Sequence, residues 1–266
     1  MFIIVGERIN TSRKGVQKAV ESGDRDYIRN EAVQQEASGA SYLDVNSGTQ
    51  IGNEKESILW LIDTIQACAK IPLCLDSPDP EVLMMAYKKV NQKPMINSIS
   101  LEENRYEPMM FFLKGKDCKV IALCLNDDGM PNTAHDVVKN AGTLIKSLED
   151  IGVKREDIYI DPLVQPIGTD CRKGVMVMEA ISAISKTFQG VHFMCGLSNI
   201  SFGLPERKII NRHFLSLMMA AGLDGAILDP MDTNLMTTLL TTEMLLGKDN
   251  YCMNFIKSVR SGVIRI

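Results

Sequence analysis

The sequence has 266 residues, 45% of them hydrophobic and 23% charged, which excludes a disordered, collagen-like or disulfide-scaffold chain. At that length folding buries roughly 75% of the extended chain's surface, so a core forms without staples. The net charge is −4 and Lys and Arg never run beyond a pair, so the basic face that nucleic acid requires is missing.

In chain order, short β-branched apolar runs alternate with longer amphipathic ones. Phe2–Gly6 and Tyr42–Asn46 read as strands. Ile58, Leu61, Ile62, Ile65 and Ala69 then fall on one helical stripe. Leu73–Asp76 is the next strand, followed by Asp79 as a cap with Pro80 at the first helical position and by Val82, Leu83, Ala86 and Tyr87 on one face. Strands at Met95–Asn97 and Val120–Leu125 precede the clearest helix, Asp136–Leu148, whose apolar residues share a 3.6-period stripe. Ile158–Asp161, His192–Gly196 and Ala226–Asp229 complete the set. Eight strand–helix units in 266 residues give about 33 residues each, close to the ~250 residues of a closed eightfold barrel. The fold class expected is α/β, a single (β/α)8 TIM barrel spanning residues 1–266 as one domain. A doubly wound open sheet is the alternative architecture, without the Gly-rich dinucleotide fingerprint or a P-loop.

The opening Met1–Val5 run is too short for a signal sequence and no apolar stretch nears the roughly 20 residues of a membrane span, so a cytoplasmic protein is expected. Seven cysteines without CxxC spacing suit a reducing compartment, and Cys74, Cys124 and Cys195 lie in strand-like runs as core side chains. The paired methionines (Met84-Met85, Met109-Met110, Met218-Met219) read as helix core. With three histidines and no HExxH or HxH pair, no metal site is expected.

Side chains at the C-terminal strand ends of a barrel face its mouth. Those positions are Glu7, Asp44 with Asn46, Asp76, Asn97, Asn126, Asp161, Asn199 and Asp229, a carboxylate or carboxamide at every unit. Asp and Asn favour strand exits anyway, through local bonds to backbone, but the completeness of the set points to a polar ring. It holds no Lys for a Schiff base and no Ser/His/Asp or Cys/His arrangement. Alternating carboxylates and amides suit a flat heterocycle rich in N–H donors and carbonyl acceptors, such as a pterin or a purine.

The segments Gly6-Glu7-Arg8-Ile9-Asn10, Leu43-Asp44-Val45-Asn46, Cys74-Leu75-Asp76-Ser77, Met95-Ile96-Asn97-Ser98, Tyr159-Ile160-Asp161-Pro162-Leu163 and Gly196-Leu197-Ser198-Asn199 resemble, in order, those of pterin-binding barrels. With Ile210-Asn211-Arg212 and Leu223-Asp224-Gly225-Ala226 they are most similar to the methyltetrahydrofolate–corrinoid methyltransferases, relatives of dihydropteroate synthase and of the folate domain of cobalamin-dependent methionine synthase. The resemblance covers essentially the whole chain. It implies a methyltransferase acting between N5 of tetrahydrofolate and the cobalt of a corrinoid, and a homodimer. Asp76, Asn97 and Asp161 would hold the pterin, Gly196 and Ser198 would line the same segment, and Asn199 would act catalytically beside N5. Asp44 and Asn46 would stand behind, fixing Asp161 or ordered water. Glu7 would tie Arg8 or a backbone amide or meet the ligand, and Arg207 would pair with the folate glutamate tail or cap the next helix. The loops 168–173 and 201–207 read as variable. No Asp-x-His-x-x-Gly surrounds His135, His192 or His213 and the barrel consumes the chain, so the corrinoid is expected on a partner protein. Rival readings are a dihydropteroate synthase-like condensing enzyme and a non-catalytic folate-binding subunit.

Overall fold

The computed structural model describes residues 2–50 and 52–264, so Met1, Ile51, Arg265 and Ile266 lie outside the described residues. Parallel strands β1 (Ile3–Gly6), β2 (Tyr42–Asn46), β3 (Leu73–Asp76), β4 (Met95–Leu101), β5 (Lys119–Asn126), β6 (Ile158–Asp161), β7 (His192–Phe193) and β8 (Gly225–Leu228) form one sheet in the order β7-β6-β5-β4-β3-β2-β1-β8. A bridge between Gly196 and Ile227, with the Ile227 amide donating to Cys195 O at 2.9 Å, draws the two edges together into a nearly closed barrel. Helices α1 (Lys14–Ser22), α2 (Arg25–Ala37), α3 (Glu54–Gln66), α4 (Pro80–Tyr87), α5 (Glu103–Leu113), α6 (Ala134–Asp150), α7 (Lys173–Thr187), α8 (Arg207–Ala221), α9 (Thr233–Leu245) and α10 (Met253–Arg260) surround it. The open-sheet alternative is thereby excluded.

Local chemistry sets the helix starts. Asp79 caps α4 by accepting from the Glu81 amide at 2.8 Å, with Pro80 at the first helical position. Thr133 and Asp136 form a reciprocal capping box on α6. Two strands depart from expectation. β4 continues past Asn97 to Leu101 with register shifts around Ile99, while β7 ends at Phe193 because the chain turns into a 3-10 segment, Leu197–Ser201. Cys74, Cys124, Cys195, Met109, Met218 and Met219 are buried as expected, whereas Met84, Met85 and Met110 are only half-buried.

Side-chain alternation divides the core in two. Val5, Tyr42, Cys74, Met95, Ile121, Tyr159 and Met194, with Ile3 and Ile227, cluster inside the barrel. The intervening residues pack outward against the helices in the larger cluster. Two residues further along each strand, the next inward positions are Glu7, Asp44, Asp76, Asn97, Leu123, Asp161, Gly196 and Asp229. This parity places the mouth.

Candidate active site

Registry aligns part of the ring on three neighbouring strands, with Asn46 opposite Asp76 and Asp76 opposite Asn97. Asn46 Nδ2 donates to Asp76 Oδ2 at 2.8 Å, while its Oδ1 accepts from the Gly48 amide at 2.9 Å. That pair of bonds orients the amide and ties up one of the two Asp76 oxygens. Asn46 therefore stands behind Asp76 and not behind Asp161, a correction to the expectation, because hydrogen-bond reach follows strand adjacency. Asp44 lies deeper, beside Cys74, and the groups that act on it are Asp76, Cys74 and Glu7.

Asp161 Oδ1 accepts from the Leu163 amide at 2.8 Å, across a turn in which Leu163 takes a left-handed φ of 65°. Burial pushes the Asp161 carboxyl up to about 7. Asp76 is also raised by burial, against the opposing pull of its Asn46 hydrogen bond and the Arg105 charge. Arg105 on α5 donates from Nε and Nη2 to Ser98 O at 2.9 and 2.6 Å, from Nη2 to Ser77 O at 2.9 Å, and from Nη1 to Pro78 O. It clamps the exits of β3 and β4, a role with no signal in the sequence because the partners are backbone carbonyls.

Past β7, the 3-10 turn carries Ser198 and Asn199. The Asn199 side chain is exposed and folds over Gly196, where an added Cβ would lie 3.0 Å from Asn199 Nδ2. Gly196 is small because the amide rests on it. Arg207, the first residue of α8, donates from Nη2 to Ser198 O at 2.8 Å and from Nε to Ser201 Oγ at 3.1 Å. Its side chain braces the Asn199 turn rather than capping the helix. The two variable loops meet here: the Ile167 amide donates to Ile200 O at 3.0 Å, and Leu204 lies against Gly168.

Glu7 is not tied to Arg8. Arg8 donates from Nε and Nη2 to Glu31 at 2.6 and 3.0 Å and from Nη1 to Asp229 Oδ2 at 2.9 Å, a bidentate pairing strong enough to monopolise it. Its amide donates to Gln35 Oε1 at 3.1 Å, and a Cβ on Gly6 would collide with that oxygen. Glu7 instead faces a hollow of about 290 Å³ with Arg13, Ser198, Arg207, Lys208 and Asp232 around it. Its carboxyl is raised by burial and by Asp229, against Arg13, Arg207 and Arg8. Asn126 leaves the ring: Leu123 holds the inward position on β5, and Asn126 Oδ1 accepts from the Asp128 amide at 3.2 Å in its own turn. Asp229 keeps its place but is occupied by Arg8.

Inward parity puts Asp76, Asn97, Asp161 and Gly196 at the C-terminal end of the barrel, and Ser198 shares its hollow with Glu7 and Arg207 on the β1–β8 side. Acceptors outnumber donors, as a ligand edge bearing several N–H groups requires.

A family model described as "Pterin binding enzyme" matches residues 6–229. The chain is 34% identical over 265 residues, 99% of its length and 98% of the other's, to the methylcorrinoid:tetrahydrofolate methyltransferase of Eubacterium limosum. It is 30% identical over 238 residues to the methionine synthase of Mycobacterium tuberculosis, covering 85% of this chain and 20% of that protein. Among solved structures, the dihydropteroate synthase of Xanthomonas albilineans in complex with 7,8-dihydropteroate matches with a TM-score of 0.69 at 17% identity over 92% of both chains. The dihydropteroate synthase of Stenotrophomonas maltophilia matches with a TM-score of 0.68 at 15% identity over 93% of both. These likenesses to solved structures are of fold.

Proposed function

Because the chain belongs to the pterin-binding enzyme family, we propose that it is a methyltransferase moving a methyl group between N5 of tetrahydrofolate and the cobalt of a corrinoid carried on a separate protein. The observation that carries this reading is the end-to-end likeness to a methylcorrinoid:tetrahydrofolate methyltransferase. Both partners are substrates; one 1–266 barrel domain binds the folate and presents it to the corrinoid protein.

Asp76, Asn97 and Asp161 take the pterin's N–H edge, with Gly196 and Ser198 beside it. Asn46 holds Asp76 in place through its 2.8 Å bond. N5 is a poor leaving nitrogen unless it gains positive character, so the group beside it must favour a protonated or strongly hydrogen-bonded state. Asn199 serves that need: its amide is the exposed polar group of the turn, with a short swing over Gly196 and a backbone braced by Arg207. The chain's further part is to place the methyl group and keep water from it. The same geometry serves both directions of transfer.

The dihydropteroate synthase-like alternative would want a Lys near the β7 exit, where this chain has Gly196-Leu197-Ser198-Asn199. A turnover assay with methyltetrahydrofolate and reduced cobalamin decides, since methylcobalamin formation followed by its visible spectrum is expected from this reading alone. Its absence with an otherwise folded, folate-binding protein would leave the binding-subunit reading. Among the described residues no helix is long and apolar enough to cross a membrane. We place the enzyme in the cytoplasm as a homodimer, which native mass spectrometry tests for the oligomer.

A further inference from the structure

Asp44 is the most enclosed acid of the mouth. Only 2% of its surface is exposed, and its Oδ1 has no hydrogen-bond partner among the described residues. It points inward from β2, one inner position below Asn46. The groups facing it are Cys74 and Asp76 from β3 and Glu7 from β1, while α2 and α3 cover the opposite face of the strand. The nearby cations are engaged elsewhere: Arg8 is bound to Glu31 and Asp229, and Arg105 to three backbone carbonyls. Among the described residues no grouping of three or more His, Cys, Asp or Glu is placed to hold a metal ion.

An ionised Asp44 would have the Cys74 thiol as a donor but would face the charges of Asp76 and Glu7 in a buried site, where neighbouring carboxylates do not all ionise. A protonated Asp44 is a donor, and the orphaned atom then has partners within its own surroundings. Resting on the functional reading above, we propose that Asp44 is a positioning residue that stays protonated and donates to Asp76, turning that carboxylate toward the N–H edge of an uncharged pyrimidine ring. Burial first, and the Asp76 charge second, hold the Asp44 carboxyl well above the ordinary carboxylate range. The pair then presents one negative charge instead of two. Asn46 on one Asp76 oxygen and Asp44 beneath keep the carboxylate from rotating.

The test compares Asp44→Asn, which is isosteric and can donate but not ionise, with Asp44→Ala. Tetrahydrofolate binding, measured by calorimetry across pH, should stay within about 3-fold of wild type in Asp44→Asn and weaken by about 10-fold or more in Asp44→Ala. Because the Asp161 carboxyl titrates in both proteins, the reading is the difference between them: wild-type affinity should fall below that of Asp44→Asn as pH rises and Asp44 ionises. Equal losses in the two variants, or parallel pH profiles for wild type and Asp44→Asn, would overturn the proposal. Thermal melts without ligand read the proton independently: a raised carboxyl contributes stability below its unfolded value that is lost as pH rises, so Asp44→Asn should gain on wild type with increasing pH. No such gain overturns the protonated state even where folate binds. Melts that diverge as expected while none of the three proteins binds tetrahydrofolate overturn instead the folate reading on which the positioning role rests.

Discussion

At the two ends of the barrel the same kinds of side chain meet opposite fates. At the N-terminal end Lys119 Nζ lies 2.6 Å from Tyr159 OH, His192 Nδ1 lies 2.6 Å from Asp224 Oδ2, and the His192 ring stacks on Tyr159 at 4.9 Å. Lys93 bridges Asp157 and Asp117 at 2.8 and 2.9 Å. Each polar group there closes on a neighbour. At the C-terminal end Asp44, Asp76 and Asp161 form no ion pair among the described residues, and burial raises all three carboxyls. The difference separates groups that hold the barrel together from groups left short of partners, which cost stability until a ligand supplies donors.

The largest effect is expected at Asn199. Replacing it by Ala should lower the methyl-transfer rate by about 10²–10³-fold while tetrahydrofolate affinity falls much less, as for loss of one transition-state hydrogen bond. Equal losses in rate and affinity would assign Asn199 to binding alone. Asp76→Ala should weaken tetrahydrofolate binding by about 1–3 kcal/mol, seen by calorimetry, because a buried donor of the ligand is left unpaired. Unchanged affinity would remove Asp76 from the pocket.

Asp161 tests the cost of the mouth without ligand. Its folded value of about 7 lies above the ordinary value of 3.8, so the folded state holds the proton more tightly. The stability this contributes is complete below the unfolded value and is lost as pH rises to about 7. That shift has an upper bound of about 4 kcal/mol. Because the side chain keeps some contact with solvent, Asp161→Asn should stabilise the free protein by about 1–2 kcal/mol at about pH 8 and by almost nothing at about pH 4. Melting curves that shift equally at both pH values would mean that burial does not raise the Asp161 carboxyl. The smallest effect belongs to the other end: Lys119→Met should destabilise by about 1 kcal/mol in denaturant titrations, with folate affinity and methyl-transfer rate unchanged. A rate loss there would mean that the two ends are coupled.

Much of this was legible in the linear chain. Tyr42–Asn46, Leu73–Asp76 and Ile158–Asp161 are strands at the bounds their apolar runs suggest, because a short β-branched run ending in Asp or Asn has few other uses. The set Asp76, Asn97, Asp161 and Asn199 could be drawn from strand ends alone. Asn126 could not be excluded that way, since a strand end in sequence carries no parity until Ile121 is seen to face the interior. Arg105, Glu31 and Gln35 left no trace either: Arg8 reaches Glu31 and Gln35 across 23 and 27 residues, and Arg105 takes backbone carbonyls 7 to 28 residues away.

By itself, then, the order of residues determined the alternation of strands and helices and the supply of acids and amides at one end, because both follow from local periodicity and side-chain chemistry. Closure of the barrel decided the rest. It set the inward parity of each strand, brought Asn46 to Asp76, gave Arg8 to Glu31 and Asp229, and left Asp44 enclosed. Those outcomes depend on which strands are neighbours and in what register, quantities that no single segment carries.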